Sequence, residues 1–198
     1  RQRQMCIRDR KKVAVALVCL LPLGLQAAKV DTLQVKSPSM NKSIEVVVVS
    51  PDMAATEACP VIYLLHGYGG NARTWVGIKP DLPKIADEKG IFFVCPDGKN
   101  TWYWDSPLNA DVRYETFISD ELVKYVDSHY KTVADRKGRA ITGLSMGGHG
   151  AMWNGLRHSD VFSAAGSTSG GVDIRPFPKN WEMSVQIGEK AKYPENWE

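Results

Sequence analysis

Four cysteines in 198 residues are too few for a disulfide framework. Two of them, Cys6 and Cys19, lie in an N-terminal stretch unlike the rest of the chain. The other two, Cys59 and Cys95, open one apolar run and close the next. If those runs are neighbouring parallel strands, the sulfurs sit at opposite ends, about 17 Å apart over five residues, and no bridge forms. Both read as small buried apolar residues. No uninterrupted apolar run reaches the roughly 20 residues that a membrane span needs. No Lys/Arg run interleaves with aromatic residues, which excludes a nucleic-acid footprint. His, Cys, Asp and Glu nowhere cluster at metal-ligand spacing, and no dinucleotide or phosphate-loop fingerprint appears, so neither metal nor cofactor is expected. Repeats and low-complexity tracts are absent. What remains, 43% hydrophobic and 24% charged, is the composition of one ordinary globular domain.

The net charge of +3 is misleading. Six of the 25 basic residues and one of the 22 acids fall in residues 1–28, leaving 19 basic against 21 acidic residues, a net of −2 for the body. Lys11-Lys12, an apolar run from Val13 to Leu25 and the small residues Ala27 and Ala28 have the layout of a secretory signal peptide over 11–28. A secreted or periplasmic protein is therefore expected. Arg1–Arg10 (RQRQMCIRDR) resembles the translation of a sequencing-library adapter and is excluded from the fold, which leaves 29–198 as the domain.

Along that domain, Val30–Lys36 and Ile44–Ser50 read as two strands around a turn, the second carrying the β-branched run VVVV. Pro60–His66 and Ile91–Cys95 are continuous apolar runs stopped by glycine or proline, as strands buried on both faces are. Further strands are expected at Arg139–Gly143 and Phe162–Thr168. Helices are expected at Asp81–Lys89, Glu115–Tyr130, Ser145–Arg157 and within Lys179–Lys190. Glu121 and Asp120 fall on what reads as a solvated helical face. Strands alternating with amphipathic helices predict an α/β architecture, a mainly parallel sheet with helices on both faces. In such sheets the site lies at the carboxyl ends of the strands. Three loops leave those ends: His66–Gly70 (HGYGG), Pro96–Pro107 and Gly143–Gly147 (GLSMG).

The last of these matches G-x-S-x-G. A serine held on a sharp strand-to-helix turn projects its hydroxyl above the sheet, and the glycines on either side avoid the neighbouring backbone. The following helix turns its free N–H groups toward the reacting carbonyl. Ser145 is thus the candidate nucleophile. Acyl transfer also needs two donors for the developing oxyanion. The Met146 N–H is one. The other is expected from the HGYGG loop, with the Tyr68 N–H first and the Gly67 N–H next.

LLHGYGG followed by Trp75, PDG after the next strand, DELVKYVDSHY and ITGLSMGGHGA together resemble the esterase D-type family of α/β-hydrolases, from Val30 to the C-terminus. That family includes S-formylglutathione hydrolases, secreted tributyrin, feruloyl or acetyl esterases, and antigen 85-like acyltransferases. The resemblance implies Ser145 as nucleophile, the Met146 and Tyr68 amides as oxyanion donors, and a substrate pocket bordered by Trp102, Trp104 and Asp105. Trp102, Tyr103 and Trp104 are rings able to stack on a sugar or phenolic group, or to pack the core. The chain departs from the family in one respect. A triad needs Ser, then a carboxylate, then His in chain order. After Ser145 the only histidines are His149, on the same helix, and His158, at that helix's end. Asp173 follows the sixth strand, one strand too early for the family's acid. The acid and the base are therefore expected beyond residue 198, with the last strands of the fold, and residues 1–198 alone are expected to be nearly inactive. The sequence leaves three functions open: a serine esterase of small acyl or polysaccharide-linked esters, an acyltransferase with the same site, and a non-catalytic carbohydrate- or lipid-binding relative.

Overall fold

The computed structural model describes residues 28–198. The expected signal peptide and the adapter-like stretch lie outside the described residues, except for Ala28. The chain opens with an antiparallel hairpin, β1 (Lys29–Ser37) and β2 (Lys42–Ser50), turned at Pro38–Asn41. Four further strands follow: β3 (Val61–Leu65), β4 (Phe92–Pro96), β5 (Arg139–Leu144) and β6 (Ala164–Thr168). All six form one sheet in the order β1-β2-β4-β3-β5-β6. The β1–β2 and β2–β4 pairs are antiparallel, while β4-β3-β5-β6 run parallel.

The VVVV run shows why this sheet needs cover on both sides. Side chains alternate across a strand. Val46 and Val48 enter one core with Val61, Tyr63, Phe92 and Val94, and Val47 and Val49 enter the other with Leu64, Phe93 and Cys95. The first core is closed by α3 (Tyr114–Thr116), α4 (Leu122–His129) and α5 (Met146–Arg157), through Phe117, Leu122, Val126, Met146 and Ala151. The second is closed by α1 (Thr74–Ile78) and α2 (Leu82–Lys89), through Trp75, Leu82 and Ala86. Gly90 ends α2 in left-handed backbone, the conformation that glycine adopts without cost. A short α6 (Met183–Ile187) lies near the C-terminal end. Cys59 and Cys95 are both buried and free.

The helix expected over Glu115–Tyr130 is less regular than its periodicity suggests. Between α3 and α4 the backbone widens into a π turn at Phe117–Glu121. There Ser119 Oγ donates to the Glu115 carbonyl, four residues back, so a side chain serves a carbonyl of the helical ladder. Glu121 is half-buried rather than freely solvated. Its carboxylate accepts from Ser37 Oγ at 2.6 Å and from Ser39 N at 2.7 Å, and so ties this helix to the β1–β2 turn. Spacing along the helix reported the exposed side correctly for Asp120, which pairs with Lys124, but carried no information about a turn 80 residues upstream.

Two buried groups give stability predictions. Glu115 accepts from Trp153 Nε1 (2.7 Å), Arg157 Nε (2.8 Å) and His158 Nε2 (2.9 Å), and so joins α3 to the last turn of α5. Burial alone would raise its pKa; the three donors outweigh burial and hold it below its ordinary 4.5. A folded pKa below the unfolded one contributes stability above about pH 4.5, lost as pH falls through the lower folded value. Glu115→Gln is expected to cost about 2 kcal/mol at pH 7. It should also flatten the fall in stability below pH 4.5, as read by urea titrations across pH. An unchanged acid limb would refute the assignment. The second group is Tyr63, whose hydroxyl is fully buried without a hydrogen-bond partner among the described residues. Removing a buried, unpaired polar atom while keeping its ring is nearly neutral or stabilising. Tyr63→Phe should keep or raise the urea midpoint, and a loss above about 2 kcal/mol would contradict this.

Candidate active site

β5 and β3 are parallel neighbours, so the loops that leave their carboxyl ends emerge side by side. Ser145 stands between β5 and α5 with φ 55° and ψ −116°, an uncommon backbone for a residue that carries a Cβ. It is exposed, and its N–H donates to the Thr168 carbonyl at the end of β6, 2.8 Å away. The flanking glycines have a steric cause. A Cβ on Gly147 would lie 2.2 Å from the Leu65 carbonyl oxygen and 2.6 Å from that of His66. One on Gly143 would lie 2.2 Å from the Gly147 oxygen. The turn closes only where these two residues have no side chain.

The HGYGG loop lies directly against the serine. A Cβ built on Gly67 would sit 3.5 Å from Ser145 Cβ and 3.3 Å from the Leu144 oxygen. The loop is fixed from behind by side chains. The His66 ring donates from Nδ1 to the Gly67 carbonyl at 2.7 Å and accepts the Gly98 N–H on Nε2 at 2.9 Å. This pattern assigns the proton to Nδ1. Asp97 Oδ1 lies 3.5 Å from the same Nε2, but that nitrogen already accepts Gly98, so the two do not form an ion pair. Gly69 N donates to Asn100 Oδ1 and Trp75 Nε1 to the Leu65 carbonyl. Tyr68 is 38% exposed, and its hydroxyl donates to Glu182 Oε2 at 2.7 Å. Hydrogen bonding to that carboxylate pushes the phenol pKa up. The Met146 side chain is buried beneath the turn.

The other candidates are placed differently. Trp102 and Trp104 are 4% and 3% exposed, and do not present an open face. Their rings stand edge-on to His149 at 5.2 and 5.0 Å, and Trp102 Nε1 donates to the Trp181 carbonyl. Asp105 spends its carboxylate on Thr116, accepting from its N–H and hydroxyl at the start of the long helix. Trp104 and Asp105 do line a cavity of about 470 Å³, together with His149, Trp153, Arg175 and Trp197, but Ser145 does not. Among the described residues, none of the four histidine side chains hydrogen-bonds Ser145. His66 serves its own loop, His129 meets the Tyr125 carbonyl, and His158 meets Glu115. His149 is buried, shares a hydrogen bond with the Gly171 carbonyl, and has its pKa lowered by burial. Asp173 is exposed and pairs with Arg175. The sequence alone assigned no role to His66, Asn100 or Glu182, and offered Tyr103 only as a ring that stacks on a ligand or packs the core. For His66 and Tyr103 a signal existed, since both sit inside motifs already singled out.

A mainly parallel sheet in this order, with a strained serine at the β5–α5 turn and a glycine-rich loop from β3 packed against it, defines an α/β-hydrolase. Within that class, the chain belongs to the family described as "Putative esterase", whose model matches residues 37–197. It is 30% identical over 149 residues to an esterase of Mycobacterium tuberculosis, covering 72% of this chain and 32% of that protein. It is 31% identical over 108 residues to an acetyl esterase of Caldicellulosiruptor saccharolyticus, covering 54% and 40%. Among solved structures, a ferulic acid esterase superposes with a TM-score of 0.68 at 29% identity, covering 87% of this chain and 70% of that one. The M. tuberculosis protein MPT51 gives 0.67 at 26% identity, covering 80% and 57%. The chain thus spans about a third of the mycobacterial esterase and two-fifths of the acetyl esterase.

Proposed function

We propose that this protein is a serine carboxylic-ester hydrolase acting on small acyl or carbohydrate-linked esters, and that Ser145 is its nucleophile. The observation that carries the reading is the Ser145 backbone, φ 55° and ψ −116°, at the head of α5 with Gly67 packed on its Cβ. Ser145 Oγ attacks the ester carbonyl. The Met146 and Tyr68 N–H groups receive the oxyanion, the alcohol leaves, and water releases the acid from the acyl-enzyme. Trp102, Trp104 and Asp105 shape the substrate side from beneath, by supporting Trp181 and fixing the loop after β4. The base and its orienting carboxylate come from sequence outside residues 1–198. The placement of the four histidines and the partial coverage of the relatives both support this. The N-terminal pattern supports export, and acyl transfer to a sugar acceptor would use the same groups.

The same placement of the histidines favours a second reading, a non-catalytic carbohydrate- or lipid-binding relative. Acetyl, butyryl and feruloyl esters separate the two when offered to residues 1–198, to a form extended beyond Glu198, and to Ser145→Ala in that form. Hydrolysis by the extended form, lost in Ser145→Ala and far slower with 1–198, is the expected result. Equal rates in the short and extended forms would place the base within this chain. No Ser145-dependent turnover in the extended form would favour the binder.

A further inference from the structure

Trp102 and Tyr103, in the loop after β4, both hold left-handed backbone, with φ 59° and 61°. For bulky aromatic residues this is strained, and two in succession persist only where the surroundings enforce them. Thr101 does so locally. Its hydroxyl donates to the Gly98 carbonyl and accepts the Tyr103 N–H, while its carbonyl accepts the Trp104 N–H. The strained turn drives the Tyr103 ring inward to full burial between two glycines. A Cβ would come within 2.1 Å of that ring on Gly98 and within 2.4 Å on Gly150. Gly150 belongs to α5, the helix headed by Ser145. At the far end of the ring, the Tyr103 hydroxyl donates to the His66 carbonyl at 3.0 Å. Burial raises the phenol pKa well above its usual value, so the hydroxyl remains a donor.

These contacts act on the loop through the planarity of the peptide bond. In a trans peptide the carbonyl and the following N–H point in opposite directions. Tyr103 holds the His66 carbonyl on the buried side, which turns the Gly67 N–H the other way. His66 Nδ1 and Gly70 N hold the Gly67 carbonyl, which in turn sets the direction of the Tyr68 N–H. The His66 ring is anchored through Gly98, the residue that backs Tyr103. The two candidate oxyanion donors of the loop are thus aimed from behind.

We propose that Tyr103 is a positioning residue: its hydroxyl sets the His66–Gly67 peptide and thereby the direction of the loop N–H groups beside Ser145. In its kinetic part the inference rests on the esterase reading; in its structural part it does not. Tyr103→Phe keeps the ring between Gly98 and Gly150 and removes only the donor. In the hydrolytically active form of the protein, kcat is expected to fall about tenfold to a hundredfold with KM within about twofold. Tyr63→Phe, which removes another buried tyrosine hydroxyl, should leave both constants unchanged. Hydrogen exchange read by NMR gives the arm that needs no turnover. In Tyr103→Phe the Gly70 and Gly98 amides should exchange about tenfold faster, with β3 and β5 amides unchanged. An unaltered kcat together with unaltered loop exchange would overturn the proposal, as would faster exchange spread evenly over loop and sheet. If Ser145→Ala still hydrolyses esters, the esterase reading fails instead, and the exchange arm decides the role of Tyr103 alone.

Discussion

Ser145→Ala is expected to lower ester hydrolysis by about four to six orders of magnitude while leaving the fold in place. The size follows from the chemistry. Without Oγ no acyl-enzyme forms, and only the oxyanion donors and substrate binding are left to act. The fold survives because the side chain is exposed and the turn is held by backbone: the Ser145 N–H on Thr168 and the His149 N–H on the Ser145 carbonyl. Alanine keeps a Cβ at φ 55° and inherits the strain. Glycine does not, so Ser145→Gly should be equally inactive yet more stable by about 1 kcal/mol. The pair separates function from strain. Initial rates on p-nitrophenyl acetate and thermal melts read both, and an alanine variant within tenfold of the parent would remove Ser145 from the mechanism.

Gly147→Ala is expected to have the largest effect on stability. The added methyl would lie 2.2 Å from the Leu65 oxygen and 2.6 Å from that of His66. Both are backbone atoms at the end of the central strand β3, which pairs with β4 on one side and β5 on the other. No side chain can swing aside, so β3 or the helix must move. A cost above about 4 kcal/mol is expected, a large fraction of the stability of a domain this size. Gly143→Ala should behave alike, because its methyl meets the Gly147 carbonyl. Gly77→Ala is the contrast. It lies in α1 with nothing within 4 Å, so alanine should be neutral or stabilising by up to about 1 kcal/mol. Soluble yield and circular-dichroism melts decide the matter, and a Gly147→Ala protein melting with the parent would refute the close-packing account.

The two glycine positions and the serine between them were legible in the sequence as one five-residue motif, although the backbone that Gly147 must clear, at Leu65 and His66, lies at the end of a distant strand. The VVVV strand was legible too, its alternation sending side chains to two cores. The WYW segment shows the opposite case. Its aromatic rings could stack on a ligand or pack the core, and the structure packs the tryptophans around His149, while the tyrosine between them reaches a carbonyl 37 residues upstream. Two consecutive left-handed residues reverse the side-chain directions that a regular strand or helix would give, so periodicity could not place them.

From the order of residues alone came the strands and helices, the class of fold, and the serine turn with its glycine loop. Each rests on patterns read over a few neighbouring residues: propensity, alternation, and the spacing of glycines around the serine. Tertiary structure decided which of the suspected groups meet. It set the His66 ring on Gly98, the Tyr103 hydroxyl on His66 and the Glu115 carboxylate among three donors, and it turned Asp105 toward Thr116. Hydrogen-bond partnership across a sheet depends on register and strand order, and these emerge only when distant segments share one core.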